Sequence, residues 1–153
     1  MCIQRNLSQE IRQGRVTVSP KGLWEAEGRL YLSHDPANPA ADRVTQDVQG
    51  AGEWIDLTTI DKLVAERKLD RVDVIKLDIE GAESRALRGA RETLNRFRPR
   101  LAIATEHTGD IYQNNRNVIQ TVKEIAPFYR VKCGYCSMDR RRQVVPETLY
   151  FLP

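Results

Sequence analysis

Two short stretches of this sequence place side chains suited to chemistry at close spacing. The first is Lys76-Leu77-Asp78-Ile79-Glu80-Gly81-Ala82-Glu83, with three carboxylates in six residues. In extended backbone Asp78 and Glu80 share a face, their Cα atoms about 6.5 to 7 Å apart. Gly81 permits a sharp turn, and Glu83 then falls in the first turn of a helix, where the macrodipole favours an anion. The second stretch is Glu106-His107, directly after the apolar run Leu101-Ala102-Ile103-Ala104-Thr105. If the two stretches end neighbouring strands, three carboxylates and one imidazole converge on one crevice. Each residue alone has a plainer role: Asp78 or Glu80 as a helix cap, Glu83 as a dipole partner, His107 as a surface histidine. The set is harder to explain that way. Clustered like charges cost free energy unless a cation lies among them, and a divalent metal or a sulfonium ligand would each serve.

Such a crevice needs strands that end side by side, and the order of elements after residue 50 is that of a sheet that could hold them. Trp54 to Leu57 reads as a short strand, and Thr58-Thr59-Ile60-Asp61 opens a helix through about Lys68. Val72 to Leu77 is a mostly apolar strand of the kind buried in parallel sheets. Gly81 to Phe97 is the clearest helix: Ala82, Ala86, Leu87, Ala90, Leu94 and Phe97 form one stripe, and Pro99 stops it. Leu101 to Thr105 is the next buried strand, and Asn117 to Ala126 is a helix ended by Pro127. Tyr129 to Cys133 and Thr148 to Leu152 have no helix between them, which predicts a terminal antiparallel pair. Before residue 50, Arg15 to Ser19 and Arg29 to Ser33 are strand-like. Glu27-Gly28 would close a hairpin between Leu23-Trp24 and the second of these. Asp35 to Asp42 holds two prolines and reads as a surface loop. Alternating strand and helix predicts an α/β fold with a parallel sheet, whose ligands sit beyond the carboxyl ends of the strands.

Composition narrows the classes. The 153 residues suit one domain, and 41% hydrophobic with 29% charged residues argue against disorder. A net charge of +3 is too weak to imply a nucleic-acid partner. The basic run Asp139-Arg140-Arg141-Arg142-Gln143 reads as a solvated loop, without the interleaved aromatics that stack on single strands. No apolar stretch approaches the roughly 18 residues of a membrane span, and the N-terminus has no secretory pattern. With three cysteines and no disulfide framework, a reducing, cytoplasmic setting is expected. Cys133-Gly-Tyr-Cys136 would need two further soft ligands for zinc, and Cys2, His34 and His107 are scattered, so no metal site is expected.

The motifs together resemble the FkbM family of S-adenosylmethionine-dependent methyltransferases. The resemblance rests on Leu57-Thr58-Thr59-Ile60-Asp61-Lys62-Leu63, then Val72 through Glu83, then Leu87-Arg88-Gly89-Ala90, then Arg98-Pro99-Arg100-Leu101 with Glu106-His107. Arg15-Val16-Thr17-Val18, Gly22-Leu23-Trp24 and Gly28-Arg29-Leu30-Tyr31-Leu32 are similar to the family's preceding strand and hairpin. It extends over about residues 6 to 152, in one partial domain spanning 1–153.

The resemblance implies a Rossmann-like (class I) methyltransferase sheet, S-adenosylmethionine as cofactor, and O-methylation of a hydroxyl on a sugar or other small metabolite. His107 would be the base and Glu106 its orienting partner or that of the acceptor. Asp78, with Glu80, would lie near the positive end of the cofactor. Gly22, Leu23 and Trp24 would form an apolar slot for the adenine, although Trp24 serves equally well in a packed core. Such domains open with a strand, a glycine-rich turn and a second strand ending in an acid. Here Gly50-Ala51-Gly52 precedes a strand instead of following one, so the sheet is expected to be incomplete at its N-terminal side. Residues Asn6 to Gly14 would correspond to the end of a helix inside the domain. Two alternatives follow: a truncated, inactive remnant acting as an interaction module, and a divalent-metal hydrolase-like domain built on the acidic cluster.

Overall fold

The computed structural model of the chain describes residues 2–33, 43–45, 52–106, 110–134, 136–138, 142 and 144–153. The expected loop over Asp35–Asp42, most of the basic run and His107 lie outside the described residues. Two short helices, α1 (Cys2–Asn6) and α2 (Ser8–Arg12), come first, where a helix end was expected.

A four-stranded sheet follows, built from β1 (Gly22–Leu23), β2 (Gly28–Ser33), β3 (Arg43–Thr45) and β4 (Gly52–Thr58) in the order β1-β4-β2-β3. β2 runs antiparallel to β4, with Tyr31 opposite Trp54, whereas β1 runs parallel to it, with Leu23 opposite Thr58. The predicted hairpin from Leu23-Trp24 into Arg29–Ser33 therefore does not form. β4 lies between the two segments, and the Trp24 N–H donates to the Thr58 carbonyl at 2.9 Å. Residues 16–20 carry no ladder, so the strand predicted from Arg15 to Ser19 is absent among the described residues. Helix α3 (Ile60–Glu66) starts where the sequence placed it, because the Thr59 hydroxyl accepts from the Lys62 N–H at 3.0 Å.

The second sheet holds the chemistry. β5 (Val74–Leu77) pairs in parallel with β6 (Arg100–Ala104), Leu77 opposite Ile103, so the two acidic strand ends are neighbours, which was the condition for a shared crevice. Beyond them come α6 (Ile111–Ile125), β7 (Arg130–Cys133), a small antiparallel ladder of β8 (Cys136–Met138) and β9 (Val144–Pro146), and β10 (Thr148–Leu152). The sheet order is β5-β6-β10-β7, with β10 antiparallel to both of its neighbours. The terminal antiparallel pair is thus present, and the fold is mixed α/β.

One face of this sheet carries the core. Ile75, Leu77, Leu101, Ile103, Leu149 and Phe151 pack with Leu87, Leu94, Val118, Val122 and Tyr129. Each fully buried Leu or Ile contributes about 1.5 to 3 kcal/mol by leaving water. The opposite face is open: Val74 is 61% exposed and Tyr150 41%. β5 reads in sequence as a strand covered on both sides, yet among the described residues it is an edge strand covered on one.

The helix predicted from Gly81 to Phe97 is two helices, α4 (Glu83–Arg88) and α5 (Arg91–Phe97). The break is imposed from outside the segment. A Cβ at Gly89 would sit 2.2 Å from the Trp24 carbonyl oxygen. The Asp61 N–H donates to the Gly89 carbonyl at 2.9 Å. The Asp61 carboxylate then starts α5, accepting from the Glu92 N–H at 3.1 Å, the Thr93 N–H at 2.8 Å and the Thr93 hydroxyl at 2.7 Å. The apolar stripe survives the break: Ala86, Leu87, Ala90 and Leu94 are all fully buried.

Candidate cofactor cleft

Where β1 and β5 end, the two sheets leave a cleft of about 770 Å³. Gly22 and Leu23 line one side and Asp78, Ile79, Glu80 and Ala82 another; Arg29, Leu32 and Glu53 to Asp56 form the rest of the wall with Ser19, Pro20 and Lys21. A volume of a few hundred Å³ is ordinary for a site that binds a small molecule. Four carboxylates face two cations around it. Arg29 pairs with Asp56 at 3.2 Å, and Lys76 reaches Asp78 at 2.6 Å from outside the lining. Beside these charged groups, Leu23, Leu32, Ile55 and Ile79 offer apolar surface to a ring.

The turn that presents Asp78 and Glu80 is shaped by its own backbone. Glu80 has φ 55° and Gly81 φ 96°, two successive left-handed residues. Gly81 takes this conformation freely, whereas Glu80 costs about 1 to 2 kcal/mol. Glu83 does not join the cleft lining. It is fully buried in the first turn of α4, where its Oε1 accepts from the Ile79 N–H at 3.1 Å and the Gly81 N–H at 3.3 Å.

The end of β6 is fixed by α6. Asp110 caps that helix, accepting from the Gln113 N–H at 2.9 Å. Asn114 donates to the Thr105 carbonyl at 2.9 Å and Asn115 to the Pro146 carbonyl at 3.2 Å. The Thr105 N–H donates to the Glu147 carbonyl at 2.8 Å and to the Glu106 carboxylate at 3.1 Å. Glu106 is exposed and outside the cleft lining, so the structure brings Asp78 and Glu80 together there without Glu106 or Glu83. Asn114 and Asn115 have no place in the sequence-based site. The signal for them was Asp110-Ile-Tyr-Gln113, a capping-box spacing that starts the helix six residues earlier than its apolar periodicity.

Trp24 is not among the cleft-lining residues; the Arg85 guanidinium lies over its ring at 5.5 Å. The exposed tryptophan on the cleft wall is Trp54, held edge-to-face by Tyr31 at 5.8 Å. Cys133 and Cys136 are exposed free thiols. Among the described residues no three His, Cys, Asp or Glu side chains gather as a metal site, and no helix is long and apolar enough to cross a membrane.

Comparison with known proteins agrees with the motifs. Residues 4–136 match the Methyltransferase FkbM domain, so the chain belongs to the FkbM methyltransferase domain family. Its fold is similar to the crystal structure of methyltransferase FkbM from Methylobacillus flagellatus KT, with a TM-score of 0.65 and 25% identity over 98% of this chain. This chain spans 32% of that protein's length. No curated protein matches it.

Proposed function

We propose that the chain is the catalytic part of an S-adenosylmethionine-dependent O-methyltransferase whose acceptor is a hydroxyl on a sugar or other small metabolite. One observation carries this reading: in a chain of this family, Gly22, Leu23, Asp78 and Glu80 line a single cleft at the ends of β1 and β5. The donor set fits the cofactor. Asp78 and Glu80 would face its cationic amino-acid end, and Leu23 with Ile79 would wall its ring. When bound, the cofactor supplies a methyl group activated on a positively charged sulfur. In this reading the sheet is the Rossmann-like class I type.

The chain's residues would do the rest by position and proton transfer. An acceptor at the end of β6 would have Glu106 to orient it, with that strand end fixed by Asn114 and Thr105. The His107 imidazole would take the hydroxyl proton as the oxygen attacks. The exposed thiols of Cys133 and Cys136 accord with a reducing, cytoplasmic setting.

Calorimetry with S-adenosylmethionine tests the cofactor assignment. The wild-type chain should bind, and Asp78→Asn should weaken binding about tenfold by removing one charge facing a cation. Asp73→Asn, the same change at the opposite end of β5, should leave binding intact. No heat and no thermal shift at millimolar cofactor would refute the reading for this chain.

A further inference from the structure

We infer that Glu83 is a positioning residue: from inside the protein it holds the β5–α4 turn in the shape that presents Asp78 and Glu80 to the cleft. The inference rests on the cofactor reading above and adds a residue that does not touch the ligand. Two independent observations carry it. Glu83 is fully buried, and its Oε1 takes the N–H groups of Ile79 and Gly81, the residues on either side of Glu80. Between those two bonds the backbone adopts φ 55° at Glu80 and φ 96° at Gly81.

The chemistry favours this role over simple packing. A carboxylate buried only to fill space would be replaced with advantage by an apolar side chain of similar size, because taking a charge out of water is costly. Among the described residues Glu83 Oε2 has no hydrogen-bond partner, so the carboxylate is compensated by the bonds from the turn. Those bonds link Gly81 to the residue directly after Asp78. Without them Glu80 is free to relax to negative φ, which redirects its side chain and the strand end carrying Asp78.

Glu83→Gln keeps an acceptor oxygen for both N–H groups, whereas Glu83→Ala removes it. Gly81→Ala disturbs the same turn independently, since an L side chain resists φ 96°. The test measures three quantities for each protein: denaturant unfolding, hydrogen exchange at the Ile79 and Gly81 amides, and S-adenosylmethionine affinity by calorimetry. Glu83→Ala should fold, exchange both amides at least about tenfold faster, and bind cofactor about tenfold more weakly. Glu83→Gln should restore exchange and affinity to within about threefold of wild type, and Gly81→Ala should reproduce the affinity loss.

A folded Glu83→Ala protein with unchanged exchange or unchanged affinity overturns the inference. So does a Gln variant as impaired as the Ala variant. If Glu83→Ala does not fold, Gly81→Ala with wild-type affinity overturns it instead. A wild-type chain that binds no cofactor overturns the cofactor reading alone. The exchange comparison then still decides whether Glu83 holds the turn.

Discussion

Replacing Asp61 by alanine should unfold the protein more easily by an amount that its hydrogen bonds allow to be worked out. Its carboxylate accepts three hydrogen bonds from Glu92 and Thr93 at the start of α5, over distances of 2.7 to 3.1 Å. Losing a side-chain cap costs about 1 to 2 kcal/mol, and losing a negative charge at a helix N-terminus adds about 0.3 to 1 kcal/mol. The Thr93 N–H and hydroxyl are then left short of a partner in a buried position, at about 1 kcal/mol more. The bonds share one acceptor and are not additive, so the expected loss is about 2 to 3 kcal/mol. Asp61→Asn, which keeps one oxygen, should lose about 1 kcal/mol. Urea unfolding measures both, with an unchanged m-value showing that the same surface is exposed. Asp61→Ala within about 0.5 kcal/mol of wild type would refute the claim that Asp61 starts α5, since that is the scatter of neutral surface changes.

Two further predictions concern the core and the break between helices. Tyr129 is fully buried and its hydroxyl donates to the Pro99 carbonyl at 2.7 Å; burial pushes the phenol up to about 12. A raised folded value means its stabilisation is complete below the unfolded value near 10 and is lost as pH rises through about 12. Tyr129→Phe should cost about 1 to 2 kcal/mol at neutral pH and flatten that alkaline decline, which denaturant titrations across the range would measure. Gly89→Ala places a Cβ against the Trp24 carbonyl and should cost about 1 to 3 kcal/mol, with a shifted tryptophan emission. Wild-type stability for that variant would contradict the close approach.

The features written in local chemistry were legible in the sequence. The helix start at Thr59, the alternating order after residue 50 and the antiparallel β7–β10 pair all follow from caps, periods and breakers, whereas the adjacency of β5 and β6 entered only as a condition that the ladder meets. Four of the seven candidate site residues, Gly22, Leu23, Asp78 and Glu80, line one cleft. What was not legible was decided by distant partners. The α4–α5 break depends on Asp61 and the Trp24 carbonyl, both far from Gly89 in sequence, while the apolar stripe runs on undisturbed. β4 took the pairing that a local hairpin signal at Glu27-Gly28 assigned elsewhere. Trp24 was read from its neighbours in sequence, whereas the tryptophan on the cleft wall is Trp54, brought there by its place opposite Tyr31 in the ladder. Glu83 belongs to the same acidic motif as Asp78 and Glu80, and only its burial and its bonds to the turn separate its role from theirs.

Hydrogen exchange of the wild-type chain with and without saturating S-adenosylmethionine tests the central claim most directly, because it reports where a ligand sits. The cleft assignment predicts slowed exchange at residues 19–23 and 78–82, on both sides of the gap between the sheets, with the rest of the chain little changed. Exchange unchanged at both segments, or slowed only in the groove between α3 and α5 near Lys68 and Arg96, would contradict it.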